Sequence, residues 1–229
     1  MNPQSNRRDL LKLAAASIAA LATPSLASAA ASASDTNSPF PKPATPEEAL
    51  HLLVKGNERY LAETLTSCSA NMAHLRHASE AHQEPFAAIL SCADSRVPDE
   101  LVFDQSLGTL FVVRVAGNIA APDTIASLEY AAAAVGVKLI LVLGHTACGA
   151  VKATAANEPV PGQISTLFQY IRPALAGTTD LTEGSRRNAT LQAKTLSEAS
   201  PVLADLIAKN KLLIQPAIYD VSSGKVTLH

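Results

Sequence analysis

Two stretches decide the fold: Phe86-Ala87-Ala88-Ile89-Leu90-Ser91-Cys92-Ala93-Asp94-Ser95-Arg96 and Leu139-Ile140-Leu141-Val142-Leu143-Gly144-His145-Thr146-Ala147-Cys148-Gly149. Each is a short apolar run that breaks into polar, metal-capable residues, the pattern of a strand buried on both faces. Leu110–Val115 is a third such run. Between them Pro122–Val135 reads as a helix, with Ile125, Leu128, Glu129 and Ala132 spaced by three and four. A further helix is expected to begin after Gly144. Upstream, Thr45-Pro46-Glu47-Glu48 is a helix start: a capping Thr, Pro at the first helical position and acids in the first turn. Leu50, Leu53, Val54, Asn57 and Leu61 then share one face. Downstream, Ile164–Leu175 and Glu183–Lys209 read as helices, and Leu212–Tyr219 and Lys225–Leu228 as closing strands around a Ser222-Ser223-Gly224 turn. Strands alternating with helices imply an α/β fold, a mainly parallel β-sheet flanked by helices. Ligands of such sheets bind outside the carboxyl ends of strands, where Cys92 and His145 fall.

The 229 residues suffice for one large domain or two small ones. With 48% hydrophobic residues a sizeable core is available and global disorder is excluded. The core must be aliphatic, because the chain has no Trp and only five Phe and four Tyr. A net charge of −2 gives no reason to expect nucleic acid or an anionic membrane as partner. Three Cys exclude a disulfide scaffold.

The N-terminus is read as an address. Arg7-Arg8 precede an Ala/Leu-rich run from Leu13 to Ala22 and a small-residue cleavage site ending at Ala29. The paired arginines resemble a twin-arginine export signal. The apolar run is too short to span a bilayer, which takes about 20 residues. The expected layout is a signal peptide over 1–29, a Pro/Ser/Ala-rich linker or arm over 30–45 and one folded domain over 46–229. The expected location is the periplasm, with no stable membrane anchor after cleavage.

Cys92, His145 and Cys148 carry the chemistry. Two thiolates and an imidazole leave the fourth tetrahedral position open, the pattern of a catalytic rather than a structural zinc. The 53 residues between Cys92 and His145 suit neighbouring elements of a sheet, not a zinc finger. Asp94 can be a fourth ligand that closes the site. Alternatively it pairs with Arg96 and accepts a hydrogen bond from what binds there. Plain packing of buried cysteines and a Cys92–Cys148 disulfide are the competing readings. His74, His77 and His82 read as solvated surface residues, and Cys68 as a half-buried small residue.

Cys-x-Asp-x-Arg followed by His-x-x-Cys resembles the β-class carbonic anhydrases. Gly56-Asn57-Glu58-Arg59-Tyr60, Phe111-Val112-Val113-Arg114-Val115-Ala116-Gly117-Asn118 and Glu129-Tyr130 extend the resemblance over most of the chain from Pro46 to Leu228. It implies one Zn2+ per chain on Cys92, His145 and Cys148, and reversible hydration of carbon dioxide to bicarbonate by zinc-bound hydroxide. It also implies a homodimer or an assembly of dimers. In that reading Asp94 orients the hydroxide, Arg96 holds Asp94, and the Gly149 N–H at a helix start donates to bound anion. Gln83 matches a substrate donor of constitutively open members. Phe111, Ala116 and Tyr130 match an apolar patch that comes partly from the partner chain. Some members bind a noncatalytic bicarbonate with a Trp, an Arg and a Tyr. Arg114 and Tyr219 match two of these, but Ile89 stands in the Trp position, which favours the open form. The competing functions are a related zinc hydrolase acting on an analogue such as carbon disulfide, and a dithiol or zinc-buffering protein.

Overall fold

The computed structural model describes residues 39–229. The expected signal peptide and the first part of the linker lie outside the described residues. From Pro39 to Ala44 the chain forms neither helix nor strand, yet Phe40 and Pro43 are buried. Phe40 lies across Gly108, where an added Cβ would come within 2.9 Å of the ring and where φ is +89°. The end of the arm is therefore docked on the domain.

Helix α1 (Pro46–Leu61) starts as its sequence dictates: the Thr45 hydroxyl accepts from the Glu48 N–H, and Pro46 takes the first turn. Its buried stripe is Ala49, Leu53, Gly56 and Asn57, while Leu61, expected on the packing face, is largely exposed. Gly56 is a close-approach position. An added Cβ would lie 1.7 Å from the Phe103 carbonyl oxygen. Asn57 Nδ2 donates to the Val102 and Gly224 carbonyls, and its Oδ1 accepts from the Val226 N–H. This one buried amide ties α1 to two distant loops.

After the short helix α2 (Met72–Ala78) come β1 (Ala87–Ser91), a one-turn helix α3 (Asp99–Val102) that the periodicity did not signal, and β2 (Leu110–Arg114). Helix α4 (Pro122–Glu129) runs into a π-helical turn, Tyr130–Val135, closed by Gly136 at φ +90°. The expected single helix over 122–135 is thus widened in its second half. Strand β3 (Leu139–His145) runs two residues past the apolar run Leu139–Leu143 expected as the strand, because Gly144 and His145 still pair with Ile218 and Tyr219. Helix α5 (Gly149–Ala156) begins only at Gly149. The expected helix over 164–175 is a 3-10 turn, the short helix α6 (Phe168–Ile171) and a second 3-10 turn. The expected helix over 183–209 is two: α7 (Leu181–Ala199) and α8 (Pro201–Ala208). Pro201 disfavours helical backbone at Ser200, which stays extended and caps α8 by accepting from the Leu203 N–H. Strands β4 (Leu213–Tyr219) and β5 (Val226–Leu228) follow as expected, offset by a residue.

The sheet order is β2-β1-β3-β4-β5, parallel except for β5. Successive side chains alternate between its faces. Ala88, Leu90, Ile140, Val142 and Ile218 pack under the α4, α7 and α8 side with Leu128, Leu196 and Leu203. Ala87, Ile89, Leu139, Leu141, Leu143 and Tyr219 pack under α1 and α3 with Leu53, Val102 and Phe103. A third cluster of Cys92, Ile119, Cys148, Val151 and Ile171 closes the carboxyl end of the central strands.

Candidate metal centre

Strands β1 and β3 are parallel neighbours in register Ser91↔Leu143, so both chains leave the sheet side by side at its carboxyl edge. Cys92 lies one residue beyond β1, His145 is the last residue of β3, and Cys148 follows a tight turn that enters α5. That turn places Ala147, a non-glycine residue, at φ +54°. Its carbonyl accepts from Arg96 Nη2 at 3.2 Å. Backbone held in this sparsely populated region costs about 1–3 kcal/mol and is often found at functional sites.

The ligating atoms of Cys92, His145 and Cys148 lie within 4.8 Å of one another, and all three residues are buried. His145 Nδ1 is 2.9 Å from the Thr146 carbonyl, which can only accept, so Nδ1 carries the proton. The lone pair is therefore on Nε2, a buried atom with no hydrogen-bond partner among the described residues. A buried acceptor left empty is costly unless something fills it. The two sulfurs complete the set. The neighbouring Cys148 holds the Cys92 thiol below its ordinary range, and the Gly117 N–H donates to Cys92 Sγ at 3.3 Å. The same pairing, with burial, pushes Cys148 up. The residues fit a zinc ion: two sulfurs, one imidazole in the ligating tautomer and, among the described residues, no fourth protein ligand in place.

Asp94 is turned to the side. Arg96 Nε and Nη2 donate to its two oxygens at 2.9 and 2.8 Å, and the Arg96 N–H donates at 3.0 Å. These bonds hold the Asp94 carboxyl well below the usual carboxylate range, so it is ionised at any ordinary pH. Its Oδ2 remains 4.0 Å from His145 Nε2. Gly149 is exposed at the first position of α5, with open space where a Cβ would be. Ala116 adjoins Gly117, the donor to Cys92, and so borders the trio.

Three expected site residues are elsewhere. Gln83 precedes β1 and is exposed; Phe86, at the same end, already bonds across to Thr109 and Lys138. From Phe86 to Cys92 the strand covers roughly 20 Å at about 3.3 Å per residue. Phe111 is paired with Ala88, well down the sheet, and packs against Tyr130 with ring centroids 6.3 Å apart. Tyr130 itself is 54% exposed. These residues do not converge on the trio of their own chain. His74, His77 and His82 stand on the surface. Sequence reasoning did not single out Asp99, whose buried carboxyl underlies the Cys92–Arg96 loop. A lone acid after Val97-Pro98 carries no periodic or spacing signal.

Fold and centre together define a class: a mainly parallel α/β protein with a buried Cys2His group able to hold a metal at the carboxyl edge of its sheet and an Asp–Arg pair at the rim. A family model described as carbonic anhydrase matches residues 87–226, more than half of the chain. Carbonic anhydrase 2 of Mycobacterium tuberculosis is 34% identical over 192 residues, covering 80% of this chain and 92% of the relative. The carbonic anhydrase of Mycolicibacterium smegmatis is 32% identical, covering 80% and 93%. Among solved structures, the Coccomyxa β-carbonic anhydrase in complex with acetazolamide superposes with a TM-score of 0.63 at 26% identity, covering 78% of this chain and 85% of that one. A tetrameric β-carbonic anhydrase of Sordaria macrospora shares the fold, with a TM-score of 0.62 at 23% identity over 78% and 95% of the two chains. The chain belongs to the carbonic anhydrase family, in its β class.

Proposed function

We propose that this enzyme reversibly hydrates carbon dioxide to bicarbonate and a proton at one zinc per chain held by Cys92, His145 and Cys148. The observation that carries the reading is the buried Nε2 of His145, without a hydrogen-bond partner among the described residues and set beside two sulfurs, while Arg96 holds Asp94 to the side. Zinc, when bound, lowers the pKa of a coordinated water to about 7 and supplies a hydroxide nucleophile at neutral pH. Asp94, which Arg96 keeps ionised, would accept a hydrogen bond from that nucleophile and so hold it in place. Arg96 locks the Asp94 rotamer and, through the Ala147 carbonyl, ties it to the turn that carries Cys148. The N–H of Gly149, an exposed residue at the start of α5, would be available to a product anion.

Gln83, Phe111 and Tyr130 lie too far from their own trio to act there. In the homodimer we propose, a second copy would bring them to the site, so that each site takes residues from both chains. The half-exposed side chains of the edge strand β2 and the exposed Tyr130 ring suit such a contact. The Arg7-Arg8 segment supports export by the twin-arginine route to the periplasm, with a mature chain starting after Ala29.

Stopped-flow hydration of carbon dioxide by residues 30–229, with zinc measured on the same sample, tests this reading. Fast hydration at about one zinc per chain is expected. Full zinc without hydration, at neutral and at alkaline pH, would refute it.

A further inference from the structure

Asp99 opens a helix of only four residues and caps nothing. Its side chain is fully buried beneath the Cys92–Arg96 loop. One carboxyl oxygen, Oδ2, accepts from the Ser91 hydroxyl at 2.6 Å. The other, Oδ1, is buried without a partner among the described residues. An unsatisfied buried carboxyl is costly, and burial pushes its pKa up to about 7. A first-turn acid that merely favoured its helix would sit in solvent, as Glu100 does. A costly group next to a reactive centre calls for a local reason.

Its neighbours supply one. Arg114 ends β2 directly across from Ser91. Its Nε lies 3.9 Å from Asp99 Oδ2, within ion-pair range. The same guanidinium donates from Nε to the Cys92 carbonyl at 3.0 Å and from Nη2 to the Asp94 carbonyl at 2.5 Å. Arg114 therefore clamps the backbone on either side of Ala93, in the loop that carries one metal ligand and the Asp94–Arg96 pair. Asp99 is the acid beneath that clamp, tethered by Ser91.

We propose that Asp99 is a positioning residue: paired with Arg114, it holds the Cys92–Arg96 loop, and with it the Asp94 carboxylate, in register with the metal trio. The charged and titratable groups bearing on it are Arg114 from β2, Glu100 from its own helix and Cys92 from the loop. The inference rests on the role proposed for Asp94. Its test therefore includes a readout independent of turnover.

Asp99→Asn keeps the shape and the Ser91 contact while removing the charge. At pH 8, with zinc at one per chain, we expect kcat to fall about tenfold with KM for carbon dioxide within twofold, the size typical of a lost outer-shell partner. Amide hydrogen exchange of the peptide spanning 94–97 should quicken several-fold, with and without zinc. Arg114→Gln should produce the same pair of effects, and Asp99→Asn added to it should change nothing further. Should Asp99→Asn fail to fold, Ser91→Ala, which cuts the tether and leaves the carboxyl, should show both effects in weaker form. An unchanged kcat, an unchanged exchange rate, or a kcat loss matched by zinc loss would overturn the proposal. Absence of hydration in the zinc-loaded wild type would instead refute the proposed function, and exchange would still decide whether Asp99 holds the loop.

Discussion

The Asp99→Asn change also makes a thermodynamic prediction whose sign follows from burial. A carboxyl ordinarily titrates near 3.8, whereas Asp99 is pushed up to about 7, because burial disfavours its charged form more than Ser91 and Arg114 favour it. Between those values the folded chain holds a proton that the unfolded chain has released, so this group's contribution to stability falls as pH rises. Each tenfold change in proton affinity is about 1.4 kcal/mol, giving a loss on the order of 4 kcal/mol accumulated between about pH 4 and pH 7. Asparagine cannot ionise and carries none of this penalty. Asp99→Asn should therefore gain on the wild type by about 1.4 kcal/mol per pH unit up to pH 7 and hold a constant advantage above it. Urea unfolding of both proteins from pH 5.5 to 8.5 in excess zinc measures the difference. Metal affinity is itself pH-dependent, but both proteins carry the same three ligands and that dependence cancels. A difference independent of pH, or a variant less stable than wild type at pH 8, would refute the reasoning. A variant that is more stable but slower would mark Asp99 as a group kept for function at a cost in stability.

Other perturbations separate metal, chemistry and scaffold. Cys148→Ser should drop zinc, measured by atomic absorption, from about one per chain to below a tenth, and hydration with it. Asp94→Asn should keep zinc and lose roughly 100-fold in kcat, the scale of a lost orienting acceptor; stopped-flow rates near wild type would end the role given to Asp94. Gly56→Ala drives a methyl to 1.7 Å from the Phe103 carbonyl oxygen. It should cost about 3 kcal/mol or more, and thermal unfolding should begin roughly 6–12 °C lower.

The strands were legible because buried parallel strands are short apolar runs, and β1, β2, β3 and β4 have that form. Helix α1 was legible from Thr45 and Pro46. Other boundaries were not. Periodicity runs through Ser200-Pro201 undisturbed, and the break between α7 and α8 comes from the Pro201 ring acting on the residue before it, while Ser200 also donates to Glu129 across the fold. β3 extends to His145 only because β4 is there to pair with it. Leu61 matches the apolar stripe by spacing, yet α1 turns its Gly56–Asn57 side to Phe103, where the missing Cβ permits backbone contact.

The sequence by itself singled out the Cys92–His145–Cys148 trio that the fold brings together, the Asp94–Arg96 pair and the α/β class, because each rests on residue type and position at the ends of apolar runs. Tertiary structure alone decided which atom of His145 is free, where the Asp94 carboxylate points, and that Gln83, Phe111 and Tyr130 lie away from their own trio. It also revealed Asp99, whose meaning arises only when Ser91, Arg114 and the loop of Cys92 close around it. Burial, tautomer and hydrogen-bond partner are properties of a residue's surroundings, and packing assembles those surroundings from segments far apart along the chain.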